Sequence, residues 1–199
     1  MRTIQRGPLL GLVAASLVWL APTAVLAQEE GGGDGRYVED NARIRFGADG
    51  GAGALIFAGQ GGARGGGHGA AQVRLGVQFS SLFGLYGQTG LLFGAWDRAG
   101  SGDPAGLNNW SSGGGFDFTF GNFFQIGAEG SFDLLSGDLF NANGYPGVGA
   151  RIAFMLGTTG PGARGAFAIA LKQHVTIITD APGENIFSWT YLTVGFELF

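Results

Sequence analysis

The sequence predicts an all-β protein, an antiparallel up-and-down barrel of eight strands, on three observations. First, the stretch Ser188 to Phe199 alternates every two residues: Thr190, Leu192, Val194, Phe196 and Leu198 fall on one face, Tyr191, Thr193, Gly195, Glu197 and Phe199 on the other. A period of two is the signature of a strand between two different environments. Second, the same division of residue types recurs in seven earlier segments. Third, a hydrophobic strand ending on Phe199 would leave an edge of unpaired N–H and C=O groups, and pairing it with the first strand removes that edge.

The composition fits a membrane wall better than a soluble domain. Charged residues are 13% of the 199-residue chain, against about 25% in ordinary soluble domains. Hydrophobic residues are 45%, and the 41 glycines lie within short alternating segments rather than in low-complexity tracts. The net charge of -4 offers no basic field, so no nucleic-acid partner is expected. With no cysteine there are no disulfides, no thiol chemistry and no lipidated N-terminal cysteine.

The N-terminal segment 1–27 reads as a cleavable signal peptide. Arg2 and Arg6 precede an apolar run from Leu9 to Leu20, and Val25 and Ala27 suit cleavage after Ala27. The run is short for a spanning helix, and Pro22 interrupts it. Residues 28–41, acidic and glycine-rich, read as a flexible periplasmic lead-in. Residues 42–199 make the barrel.

Within it the first strand spans about Arg43 to Ala58. Ile44 and Phe46 share one parity while Leu55 and Phe57 take the other, so a bulge within Gly47 to Gly53 is expected to reset the phase. The second, Ala70 to Phe79, sets Val73, Leu75 and Val77 against Gln72, Arg74 and Gln78. The third, Phe83 to Trp96, sets Leu85, Leu91 and Phe93 against Tyr86, Gln88 and Gly90. In the fourth, Gly113 to Gly121, Phe116, Phe118 and Phe120 oppose Asp117 and Thr119. In the fifth, Phe123 to Leu135, Ile126, Phe132 and Leu134 oppose Gln125, Glu129, Ser131 and Asp133. The sixth, Gly147 to Leu156, opposes Val148, Ile152 and Phe154 to Gly149 and Arg151. The seventh, Gly165 to Thr179, opposes Phe167, Ile169 and Leu171 to Lys172, His174 and Thr176. The eighth is the terminal strand.

The connections alternate in length. Gly59 to Gly69, Asp97 to Ser112, Gly137 to Pro146 and Asp180 to Phe187 read as longer loops, and the three between them as short turns. Outer-membrane barrels carry short periplasmic turns and longer extracellular loops. The loop with Trp110 is the expected contact surface for an extracellular ligand.

Facing follows from crowding. An eight-stranded interior is only wide enough to be filled by side chains, so the Phe, Leu and Ile face is expected outward and the small and polar face inward. The lumen then carries Arg45, Arg74, Arg151 and Lys172 with Asp117, Glu129, Asp133 and Glu197, together with His174. Four charges of each sign fit a paired, plugged lumen better than a selective channel. Arg151→Leu or Glu129→Leu is expected to impair folding by stranding a partner. Unchanged heat resistance of either variant after refolding in detergent would overturn the lumen assignment. Phe83, Phe123, Phe124 and Phe199 are expected at the periplasmic rim, and Trp96, Trp110, Phe140, Tyr145, Phe187 and Trp189 at the outer rim.

Chemistry is weakly indicated. His174-Val175-Thr176 is similar to the His-x-Ser arrangement of outer-membrane lipid A deacylases, with Thr in place of the serine and no acidic partner assignable by spacing. His68 has no second metal ligand nearby, and neither enzymatic activity, cofactor nor metal is expected.

The alternating strands and the terminal Thr190-Tyr191-Leu192-Thr193-Val194-Gly195-Phe196-Glu197-Leu198-Phe199 resemble small outer-membrane β-barrel proteins of Gram-negative bacteria. The resemblance implies signal-dependent export, insertion as a monomer in outer-membrane lipid, and a C-terminal Phe199 read by the barrel-assembly machinery. It departs at Glu197, where the family carries an apolar or aromatic residue. The function expected is a structural or surface-binding barrel. A narrow pore and a soluble periplasmic lipocalin-like barrel are the alternatives.

Overall fold

The computed structural model describes residues 42–59, 62–80, 82–97, 104–121, 123–138, 141–158, 165–179 and 185–198. The expected signal peptide, lead-in, Phe140 and Phe199 lie outside them. Eight strands follow in order: β1 (Arg43–Gly59), β2 (Gly62–Gln78), β3 (Phe83–Asp97), β4 (Pro104–Phe120), β5 (Phe124–Gly137), β6 (Asn143–Thr158), β7 (Gly165–Ile178) and β8 (Asn185–Leu198). Each pairs antiparallel with its chain neighbours, and β1 also pairs with β8, closing the barrel. That closing seam runs from Phe46 opposite Leu198 to Ala58 opposite Ile186. No described strand edge is left unpaired.

The alternation read from the sequence is the alternation of the wall. Leu75, Leu85, Phe116, Ile126, Phe154, Phe167, Leu171, Leu192 and Val194 are exposed on the outside, while the opposite parity is buried in the lumen. A soluble barrel inverts this pattern. At 14 to 17 residues the strands are longer than the roughly 9–11 that crossing a bilayer's hydrocarbon core requires.

The connections are shorter than the sequence suggests. At the end away from the termini they are residues 60–61, 98–103, 138–142 and 179–184. Residues 104–112, read as loop, belong to β4. The polar run Asn108 to Ser112 misled because its members divide by parity. Asn109 and Ser111 are buried inside, whereas Trp110 lies outside with its indole N–H donating to Ser112 Oγ at 3.1 Å. At the other end, Ser80 Oγ accepts the backbone N–H groups of Leu82 and Phe83 at 3.2 and 3.1 Å, and Gly121 turns with φ +58°. Those two local devices make turns of minimal length possible.

The first strand has no phase change. Its pairing with β2 is continuous from Arg43 opposite Gln78 to Gly59 opposite Gly62, with no residue skipped. Leu55 and Phe57 therefore keep the inward parity of Arg45, and Leu55 is fully buried in the lumen. Of the glycines between them, Gly51 and Gly53 lie where a Cβ would collide with the facing β8 backbone.

Eight strands form a tight wall in which some inward positions have no room for a side chain. A Cβ at Gly113 would collide with the carbonyl of Gly130 and lie 2.7 Å from Ser131 Cα, whereas a Cβ at its outward-facing neighbour Gly130 would meet nothing within 4 Å. Gly113→Ala should cost about 1–3 kcal/mol through forced backbone displacement. Gly130→Ala should stay within about 0.5 kcal/mol. Urea unfolding of the two variants in detergent checks the difference, and equal midpoints would refute it.

Candidate functional site

Among the described residues most of the charge gathers in the lumen, which is built in two layers. The lower layer, toward the termini, centres on Glu197. Arg45 on β1 donates from Nε to Glu197 Oε2 at 2.9 Å, with a second and shorter contact from Nη2. Arg74 on β2 and Arg151 on β6 both donate to Glu197 Oε1, at 2.7 and 2.8 Å. Arg45 Nη1 also contacts both oxygens of Asp117 at 2.7 Å. Gln125 Oε1 accepts from Arg151 at 2.6 Å and from Arg45 at 3.1 Å. Lys172 Nζ donates to both Asp49 oxygens at 2.9 Å and to Gln72, and Asp49 also pairs with Arg74 at 3.0 Å. Charges removed from water persist only when paired in this way, and the planar arginine fork suits carboxylates shared between strands.

Above these ions sits a smaller cluster. Asp133 Oδ2 is 2.7 Å from His174 Nε2 and accepts from Thr176 Oγ1 at 2.6 Å, while Ser131 donates to Oδ1 at 2.8 Å. Glu129 lies 3.6 Å from the other ring nitrogen of His174. Thr176 in turn accepts from Asn109 Nδ2 at 3.3 Å, linking β7 to β4. The structure thus supplies His174 with the acidic partner that spacing could not assign. The Thr176 hydroxyl donates to the carboxylate rather than to the imidazole, so these bonds do not form the nucleophile-to-base link that activation requires.

The upper layer, toward the outer end, is apolar. Leu55, Leu92, Leu107, Leu135, Phe187 and Trp189 are buried to within 1% of complete, with Trp96 and Tyr145 packed in the same cluster. Phe57 sits 5.0 Å from Trp96 and 4.8 Å from Phe187, centroid to centroid. Trp96, Tyr145, Phe187 and Trp189 are therefore not an outer-rim girdle. They fill the lumen, because the inward parity of their strands continues to the outer end. His68, read as a loop residue, lies inside β2 with its ring edge-on to Trp189 at 5.1 Å and Tyr191 at 5.3 Å. Asp138 is bound at the outer end, accepting from the Gly106 N–H at 2.7 Å.

All nine polar residues expected in the lumen are found there, Glu129 and His174 against one another and the rest in the contacts just described. Sequence reading missed Asp49, the shared partner of Lys172 and Arg74. Counting in twos from Arg45 reaches it, but the assumed bulge hid that register. Gln125 bridges Arg45 and Arg151, and Gln72 links Lys172 to the Tyr191 hydroxyl. Among the described residues, no group of three His, Cys, Asp or Glu side chains is placed to hold a metal ion.

No protein-family model and no curated protein matches the chain. Solved structures do. Neisserial surface protein A aligns with a TM-score of 0.53 at 16% identity, over 80% of this chain and 99% of that one. Ail, the attachment invasion locus protein of Yersinia pestis, aligns at 0.48 and 14%, over 77% and 97%. The outer membrane protein OprG from Pseudomonas aeruginosa aligns at 0.43 and 8%, over 80% and 97%. At these identities the likeness is one of fold, and the first of them carries it. The chain is a closed, eight-stranded antiparallel barrel with the fold of small Gram-negative outer-membrane proteins.

Proposed function

We infer that this protein is an outer-membrane barrel closed to solute passage, exported by its signal segment, inserted as a monomer with the help of the barrel-assembly machinery, and active at the cell surface as a structural or binding element rather than as an enzyme. The observation that supports this reading is the doubly filled lumen. Ion pairs cross the lower half, joining β1 to β4, β7 and β8, β2 to β8, and β6 to β8, and packed Leu, Phe and Trp side chains occupy the upper half. A selective pore needs a continuous wet path with one sign of charge in excess. Here five carboxylates face four Lys and Arg side chains and His174, with neither sign dominating, and the path ends on hydrocarbon. The outward hydrophobic wall supports the membrane address over the soluble periplasmic alternative.

The experiment is planar-bilayer recording of the mature chain refolded in detergent. Insertion without a steady current is the expected result, and a reproducible ohmic conductance would overturn the reading. The short outer connections shift the expected contact surface from one long loop to the combined rim of strand ends and turns.

A further inference from the structure

The closing seam is sparsely furnished with side chains along the middle of β1. From Gly47 to Ala54, β1 reads Gly-Ala-Asp-Gly-Gly-Ala-Gly-Ala. On the outer face its partners on β8 are Phe196, Val194, Leu192 and Thr190, each opposite only Ala48, Gly50, Ala52 or Ala54. On the inner face Gly47, Gly51 and Gly53 stand opposite Glu197, Thr193 and Tyr191, and Asp49 stands opposite Gly195. Cross-strand side-chain pairs are the unit of sheet stabilisation, and from Gly47 to Ala54 this seam has few of substance, its large ring pairs, Phe46 with Phe196 and Phe57 with Phe187, lying at the two ends. The flank toward β2 is equally sparse in side chains, but a two-residue connection ties β1 to β2 covalently, whereas β1 and β8 lie at opposite ends of the chain.

The lumen contacts are distributed as if to make up for this. Arg45 to Glu197 joins β1 to β8. Arg74 to Glu197 joins β2 to β8, and Lys172 to Asp49 joins β7 to β1. Lys172 to Gln72 joins β7 to β2, and Gln72 Nε2 donates to Tyr191 OH at 2.9 Å, joining β2 to β8. Each of these links passes across the same seam. Glu197 takes two of them, and the same carboxylate also holds Arg151 from β6.

We propose that Glu197 is a closure latch: β8 brings the carboxylate that ties Arg45, Arg74 and Arg151 together, beside the Asp117 and Asp49 that also pair with Arg45 and Arg74, so that sealing the β1–β8 seam and burying the lumen charges are one step, and the seam is the line along which the barrel opens when the latch is removed. Before β8 docks, three guanidinium groups face an incomplete lumen and must keep water. Once it docks they share one carboxylate and the water leaves. The latch is a positioning device and touches no substrate.

Strand-resolved hydrogen exchange on the full chain in detergent tests it. In Glu197→Gln, amides of β1 and β8 along the seam should exchange faster by on the order of tenfold, while those of β4 and β5 change by less than about twofold, because local opening exposes only its own segment. A covalent substitute for the latch should then restore protection. The chain has no native cysteine, and Ala52 and Leu192 are register partners on the outer face. Antiparallel partners lie within disulfide reach. Ala52→Cys with Leu192→Cys in the Glu197→Gln background should return seam exchange to the wild-type rate when oxidised and not when reduced. Should Glu197→Gln fail to form a barrel, Glu197→Asp, which keeps the charge one methylene short, takes its place with the same expected localisation and rescue. Equal acceleration in all strands, unchanged seam exchange, or failure of the oxidised bridge to restore protection would each overturn the latch.

Discussion

Arg45→Leu will cost this barrel about 3–5 kcal/mol, the range for breaking a buried ion pair by removing one partner. Arg45 is the cation in contact with Asp117, whose side chain is completely buried on β4. The same guanidinium reaches Glu197, Gln125 and Gln78. Leucine has the size to fill part of the space but no donor, so Asp117 is left charged among neutral groups. Glu197 is less affected, since Arg74 and Arg151 still hold its other oxygen. Arg45→Lys should fall between the two, because one ammonium cannot serve carboxylates on two strands with the geometry of a fork. Replacing Arg43, two residues earlier at the open end of β1 and only half-buried, should have no comparable effect. The readout is the urea midpoint for refolding, followed by the mobility difference between heated and unheated protein on a gel. An Arg45→Leu barrel with an unshifted midpoint would mean that the ionic layer contributes nothing to stability.

How much of this was legible in the sequence follows from what a period of two encodes. It encodes facing, and facing was read correctly wherever the alternation was trusted: Arg74, Asp117, Arg151, Lys172 and Glu197 all lie inside because their neighbours in the chain point out. The errors came where composition was allowed to overrule parity. Glycines in β1 suggested a bulge, which hid Asp49 and misplaced Leu55. Aromatics near strand ends suggested a rim, although Trp96 and Trp189 share the parity of Gly94 and Tyr191. Polar Asn108 to Ser112 suggested a loop. The outward positions Gly106, Asn108 and Ser112 carry no large apolar side chain, so that end of β4 looks like a loop in composition while remaining a strand in hydrogen bonding.

The pairing itself was beyond the sequence. Arg45 and Glu197 are 152 residues apart, and Lys172 and Asp49 are 123 apart. Which inward residues meet depends on how far each strand is staggered against the next, and that stagger is set by the whole closed ring. A balanced charge count could say that partners exist. Only the register could say that three of the four Arg and Lys side chains in the lumen converge on one carboxylate. The same holds for Asp133, which faces His174 across the barrel wall from β5 to β7.

Trp189→Ala will be the most damaging single truncation in the apolar layer, at about 3–5 kcal/mol for emptying a site that buried an indole. Trp189 is completely buried, packs on Phe187 with centroids 6.2 Å apart and meets the edge of His68 at 5.1 Å. Its neighbours are held on strands whose backbones cannot collapse inward, so the space stays open instead of being refilled. That rigidity gives the variant a second use. If the two layers seal the lumen independently, Trp189→Ala should loosen the barrel without producing a steady current, because the ionic layer beneath it still spans the wall from β1 to β8. Current should appear only when Trp189→Ala is combined with a break below, such as Arg151→Leu. Bilayer recordings of the two single variants and the double variant separate the cases. A current in Trp189→Ala alone would assign the whole barrier to the aromatic layer and reduce the buried ions to a structural role.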